Sequence, residues 1–386
     1  MQLIESEITG GSYVGGIVGN GFGWYSGNWN VQDCSLKGIN RVGGIAGHIN
    51  GLYSSTVDNT VIEAYGSVVG GCAGYVLNSC NDCKFTNSSV YGNDTVGGIQ
   101  GLRDNDRTIR SYVLNSNIEG NNNVGGIIGK LQAGSIYYNY VQADINAIKN
   151  GAGGFVGYLP NQYASESYIQ DIAENYIADS TISSIADVGG IVGVIDNELL
   201  KGNYHTKNFV QADLSSEIES RISLGIGNMP NQNQYLVDTY FYKYSTINGE
   251  NPNMYNEVFI SEDRYLAEED LKKQTTYTSK LKWTTSSWLF NTLNNNKYPI
   301  INSAKLPNQE GIDIPKDSEH IVGNTESSIQ TQSIIEQEEP EQTFEYNNKQ
   351  IQTYSTFSVI TDSNGGQVTR DTKLYVKDNN LYAIPS

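Results

Sequence analysis

Val14-Gly-Gly-Ile-Val-Gly19 is the stretch that decides the fold, because it comes back. It returns as Val42-Gly-Gly-Ile-Ala-Gly47, Val69-Gly-Gly-Cys-Ala-Gly74, Val96-Gly-Gly-Ile-Gln-Gly101, Val124-Gly-Gly-Ile-Ile-Gly129, Ala152-Gly-Gly-Phe-Val-Gly157 and Val188-Gly-Gly-Ile-Val-Gly193. Successive starts lie 28, 27, 27, 28, 28 and 36 residues apart, and a blurred copy, Ser223-Leu-Gly-Ile-Gly227, follows. Self-similarity at a fixed period of this length marks an architecture of stacked units, each too small to bury its own apolar face.

Comparing the copies assigns the positions. The first is Val or Ala and the fourth is Ile, Cys or Phe, so both are expected inside. The fifth admits Gln100 and is expected to face outward or lie at an edge. Positions one and four have opposite parity, and one flat strand cannot bury both. The glycine pair between them (Gly15-Gly16, Gly43-Gly44, Gly70-Gly71, Gly97-Gly98, Gly125-Gly126, Gly153-Gly154, Gly189-Gly190) resolves this by bending the chain or adopting positive φ. Eight residues upstream of position one stand Ser6, Ser88, Ser116 and Ser180, each followed two residues later by Ile or Val. Each unit therefore reads as roughly three short strands separated by Gly or Asn turns. Stacked in parallel they give an all-β, right-handed parallel β-solenoid of 7–8 coils, about 35–40 Å long at the ~4.8 Å strand spacing.

The hexapeptide with its upstream Ser-x-Ile/Val-x-Gly resembles the GLUG repeat of bacterial surface proteins, over residues 1–230. That repeat occurs in adhesins and in the non-catalytic part of large zinc metallopeptidases that cleave immunoglobulin A. The resemblance implies an extracellular or cell-surface segment acting as stalk or host-binding module, with a host protein or glycan as partner. Enzymes of that kind hold zinc with His-Glu-x-x-His. None of His48, His205 and His320 sits in such a motif, so no catalytic residue carries over and the resemblance implies no cofactor or metal. The alternatives are a fragment of such a metallopeptidase lacking its catalytic domain, and a carbohydrate-active β-helix enzyme. The array starts inside a coil at residue 4 and the chain stops abruptly at Ser386, as expected of a piece of a larger protein.

Composition agrees. Gly (41) and Tyr (27) are frequent and Pro (8) is scarce, which suits strands joined by tight turns. A net charge of −18 opposes nucleic-acid binding, which needs clustered Lys and Arg. No stretch approaches the ~18 apolar residues of a membrane span. A monomer is expected.

Beyond the repeats, residues 231–304 read as a degenerate coil, one short helix around Leu266 and Leu271, and an aromatic lid (Trp283, Trp288, Phe290, Tyr298) closing the last coil. Residues 305–345, rich in Ser, Gln and Glu, read as an acidic linker. Residues 346–386 read as a small β module, with strands over 351–361, 369–376 and 381–384 and a turn at 362–366.

Three features carry candidate chemistry. Cys80-Asn-Asp-Cys83 is a lone CxxC, which zinc would need Cys34 or Cys72 to complete across coils. Packed thiols or a disulfide are the plainer reading. Arg103-Asp-Asn-Asp-Arg107 mixes acids with guanidinium as a β-helix lyase or hydrolase would, yet has no counterpart in neighbouring coils; a self-paired turn is the plainer reading. Trp24, Tyr25 and Trp29 concentrate aromatics in one Gly-rich loop that can stack on sugars or a partner, or pack over the first coil.

Overall fold

The computed structural model describes residues 1–26, 28–160, 170–196, 205–218, 221–228, 236–250, 252 and 260–317, with strands at 342–346, 349–361, 367–377 and 380–384. The side chains of 23–26, of 170 and of the C-terminal strands lie outside this description. The chain forms two units, Met1–His320 and Ile321–Ser386. The first is a parallel β-solenoid of about eight turns; the second contains an antiparallel four-stranded sheet, Gln342–Tyr346, Lys349–Thr361, Gln367–Lys377 and Asn380–Ile384. The expected turn at 362–366 and most of the expected linker, 318–341, lie outside the described residues.

One coil illustrates the rest. Lys84–Thr86, Ser89–Tyr91, Asp94–Gly97, Gln100–Arg103 and Arg107–Ile109 are five strands, not three. Each pairs in parallel with its counterparts one coil before and one coil after. Five strands arise because the upstream Ser and the turn before each first strand break what reads as continuous sequence.

The hexapeptides stack in register. The fourth-position amides of Ile17, Ile45, Cys72, Ile99, Ile127 and Phe155 each donate to the fourth-position carbonyl one coil on, at 2.8–3.0 Å. Their side chains form one interior column, buried from Ile45 onward, beside the buried Val42, Val69, Val96 and Val124 of position one. Position five corrects the sequence reading. Ala46, Ala73, Gln100, Ile128, Val156 and Val192 are all fully buried, because the corner makes position five the first residue of a new inward-facing strand. Gln100 is accommodated by the Thr108 hydroxyl, which donates to its Oε1 at 3.4 Å.

The paired glycines work through contact rather than through positive φ, which none of them has. A Cβ on Gly16 would lie 2.6 Å from the Gly44 carbonyl and 2.9 Å from Val31. The left-handed residue is the one before position one: Tyr13 (φ 63°), Arg41 (53°), Val68 (70°), Thr95 (59°), Asn123 (56°) and Gly151 (81°). Sequence cannot flag this column, since only one of the six is glycine.

Two buried polar ladders satisfy the backbone at the other corners. In one, the Oγ of Thr60, Ser88 and Ser116 accepts the amide of Cys34, Thr60 and Ser88 respectively (3.3, 2.9 and 3.4 Å), while each hydroxyl donates to the carbonyl two residues back. The Ser of the upstream motif is thus a structural acceptor. In the other, Ser111, Asn139 and Asn175 donate their amides to Oδ1 of Asn139, Asn175 and Asn208 at 2.8, 3.0 and 3.1 Å.

Residues 265–317 continue the stack and then cover its flank. Tyr265–Leu266 pairs with Tyr240–Tyr242, and Glu268–Leu271 makes a single helical turn. The expected end lid lies instead along the side. Trp283 Nε1 donates to Lys207 O (2.7 Å), the Tyr176 hydroxyl to Pro299 O (3.0 Å), the Tyr298 hydroxyl to Gln211 Oε1 (2.8 Å), and the Ser303 hydroxyl to Asp82, several coils away (2.7 Å). Beneath it, Tyr112, Tyr140 and Tyr176 stack with ring centroids 4.7 and 5.1 Å apart and planes within 5°. Packing continues past Lys305, through the buried Leu306, Ile312 and Ile314.

Candidate functional site

The sequence candidates do not converge. Arg103 is fully buried in the interior, bonded to Asn105 O, Thr108 Oγ1 and Ser135 O at 2.8–2.9 Å. Burial pulls its guanidinium down to about 9. Asp104 accepts from the Tyr75 hydroxyl, and Asp106 from Ser79 and Arg107. The two carboxylates therefore serve separate contacts.

Cys80 and Cys83 are free thiols with Sγ atoms 3.4 Å apart, fully buried. Burial pushes both thiols well above their ordinary range. Cys72 is buried beside them, its thiol donating to Lys84 O at 3.3 Å. Among the described residues no three of His, Cys, Asp and Glu are placed to hold a metal ion.

The backbones of Trp24 and Tyr25 belong to the strand Val18–Ser26, but their side chains lie outside the described residues. Trp29 is partly buried against the core. Near that strand a group of rings that sequence reasoning missed comes together. His48 stacks on Tyr75 (4.8 Å, 13°), the exposed Phe22 meets it edge-on (5.4 Å), and the Arg41 guanidinium lies 5.1 and 4.8 Å from the Tyr13 and Tyr75 rings. The 27–28-residue offsets of Tyr13, Arg41, His48 and Tyr75 are the signal that would have found it.

His205 is fully buried, and among the described residues neither ring nitrogen has a hydrogen-bond partner. Burial lowers its pKa to about 4. The unfolded chain, with His near 6.5, takes up a proton that the folded chain refuses as pH falls from about 6.5 towards 4, so this residue costs stability in that window. We expect His205→Leu to remove that cost, which reaches about 3 kcal/mol at its acid limit by the 1.36 kcal/mol per pKa unit relation. Thermal melts of both proteins from pH 7.5 to 4.5 check it: the gap must widen towards acid in favour of the variant, and a constant gap contradicts it.

Among the described residues, concave features lie at the outer corner between the first and second strands of several coils. Left-handed residues line this corner: Glu5, Asp33, Asn59, Asn87, Asn115 and Asp179, with φ between 45° and 55°. Short polar side chains there tolerate this backbone and bond to the next coil. Asn87 Nδ2 donates to Asp58 (2.9 Å), Asn115 Nδ2 to Asn87 (3.3 Å), and Gln142 Nε2 to Asp179 (2.6 Å). Three cavities lie on this face: about 400 Å³ around Asp33 and Asn59, about 330 Å³ from Asn87 to Asp179, and about 720 Å³ where the solenoid meets residues 295–316. The second and third share Asp144 and Asp179.

No family model matches the chain, and no curated protein matches it in sequence. A solved structure does: a protein from Bacteroides ovatus called a putative immunoglobulin A1 protease, with a TM-score of 0.50, 17% identity, and coverage of 71% of this chain and 85% of that one. The likeness is one of fold. At this identity it transfers no site and no substrate. Among the described residues no helix is long and apolar enough to cross a membrane.

Proposed function

We propose that this chain is a non-catalytic segment of a larger, surface-exposed bacterial protein, serving as a stalk that also presents an adhesive face to a host partner. The observation that carries this is the continuous parallel stack, whose hexapeptide column runs coil to coil while the candidate chemical groups are dispersed along it. A rod of in-register coils holds whatever it bears at a fixed distance, and long solenoid faces suit extended contacts. The acidity, −18 overall, suits a solvated exterior. The resemblance of the hexapeptide to the GLUG repeat supports the same assignment.

A second reading has one observation in its favour. The fold is shared with a protein named a putative immunoglobulin A1 protease; with the GLUG resemblance, this reading makes the chain a fragment of a zinc metallopeptidase lacking its catalytic domain. Both readings make the same statement about these residues, that they bind or position rather than cleave. Incubating the purified chain with immunoglobulin A1 and with neutral and uronate polysaccharides tests it. We expect no cleavage of any of them, and saturable binding of the labelled chain to host epithelial surfaces. Cleavage lost on substituting Asp104 and Asp106 would overturn the proposal in favour of a β-helix enzyme.

A further inference from the structure

We infer that the groove between the first and second strands is a binding site for an extended, neutral glycan chain, an assignment that rests on the adhesive reading and specifies its ligand. Backbone chemistry narrows the occupant first. The amides and carbonyls flanking the groove are engaged in the coil-to-coil ladder, as in Ser89 N to Thr60 O (3.0 Å) and Asn117 N to Ser88 O (3.0 Å). A peptide therefore finds no edge on which to add a strand. Recognition is left to side chains.

Those side chains are hydroxyls, amides and carboxylates, set one coil apart at the ~4.8 Å strand spacing. Along the middle of the groove Ser89, Asn115 and Asn117 carry no charge. An array of neutral donors and acceptors at fixed pitch matches a ligand that repeats hydroxyl groups along its own axis. Towards the C-terminal end the groove deepens, and Tyr244 and Pro315 add apolar surface to the polar wall. A mixture of that kind accommodates a sugar ring, with one apolar face and a polar rim.

Charge selects among glycans. Asp144, Asp179, Asp213 and Asp313 line the deep end against one cation, Lys316. Uronate or sialylated chains would meet repulsion from this cluster of carboxylates. A basic peptide is the competing occupant. Three of these carboxylates already accept from a neighbouring coil: Asp144 from Thr181 (2.6 Å), Asp179 from Gln142 (2.6 Å) and Asp213 from Thr246 (2.7 Å). Asp313 pairs with Lys297 at 3.1 Å. Carboxylates held in this way are fixed acceptors for hydroxyls, and between Asn87 and Gln142 the lining of the middle is hydroxyls and amides.

The test is titration of the full chain, followed by calorimetry and by shifts in amide NMR spectra, with a panel of neutral hexasaccharides (glucan, mannan, galactan and xylan types), a galacturonate hexamer and a hexalysine peptide. At least one neutral hexamer should bind, with neither charged probe competing. Asn117→Ala and Asp144→Ala should each weaken it at least tenfold while leaving the melting temperature in place. The reverse substitution Ser89→Arg, which fills the middle of the groove, should abolish it. Binding of no neutral hexamer, equal or tighter binding of the uronate or hexalysine, or binding indifferent to these variants would overturn the assignment. If the chain still adheres to epithelial surfaces in that event, the host-binding reading survives and only the groove is removed from it.

Discussion

Gly126→Ala should cost about 3 kcal/mol, the upper end of the usual range for overpacking a filled core. The added Cβ would strike the Gly154 carbonyl in the next coil and come within 3.0 and 3.1 Å of Val141 and Ile145. Gly154 is itself locked by the Gly190 carbonyl beyond it, so the collision has no free end to push towards. Because the backbone ladder of each coil runs only to its neighbours, the loss should spread as a local opening of the middle coils before the ends melt. Circular dichroism melts with hydrogen exchange by residue will read both. Gly11→Ala is the matched control, since an added Cβ there meets nothing within 4 Å and Gly11 has no positive φ; it should change stability by less than about 0.5 kcal/mol. Equal tolerance of the two substitutions would show that the glycine pairs are not close-approach positions.

Asn175→Ala should cost about 2–4 kcal/mol through unmade hydrogen bonds rather than through lost volume. Its Oδ1 accepts the Asn139 amide (3.0 Å) and side chain (2.9 Å), and its Nδ2 donates to Ala173 O (2.9 Å), Ile136 O (3.0 Å) and Asn208 Oδ1 (3.1 Å), all in the interior. Alanine leaves the buried Asn139 amide without its acceptor and removes the side-chain donor from Ala173 O, Ile136 O and Asn208 Oδ1. Asn175→Ser should recover part of the loss, because Ser111 fills the same role one coil before Asn139, accepting the Cys83 amide at 3.1 Å. Denaturant midpoints for the two variants check this. Equal losses would mean that the site matters for volume and not for its acceptor.

These effects mark where the sequence could and could not be read. The hexapeptide column was legible because identical residues repeat at one spacing, and such a spacing has few physical causes. The ladder through Ser111, Asn139, Asn175 and Asn208 was not, since Ser and Asn share the role and coil length changes from 28 to 36 residues across it. Gln100 misled because a polar residue at a tolerant position reads as exposed, whereas its hydrogen bond to Thr108 lies inside the rod. The left-handed column was hidden for a similar reason: tertiary packing imposes φ of 70° on Val68, a residue whose own preference opposes it.

The candidate site was least legible. The Trp24 loop drew attention as a local cluster, while the groove draws on Asp33, Asn59, Asn87 and Asn115, each ordinary in its own stretch of chain. Only the stacking register brings them into line. A periodic surface is invisible to motif reading when its members differ chemically while sharing a backbone position. In a solenoid, then, function is better sought in columns than in contiguous stretches.

That register is the central claim, and spin-label distances test it most directly. Lys37, Glu63, Tyr91, Glu119, Asn146 and Ser183 occupy one column in six successive coils. Nitroxide pairs at 37 and 146 and at 37 and 183 should lie about 19 and 24 Å apart, four and five steps of the ~4.8 Å strand spacing, although 109 and 146 residues separate them in sequence. Separations that grow with chain length rather than with coil number, or that fail to differ by about one strand spacing, would contradict the parallel stack and the groove built upon it.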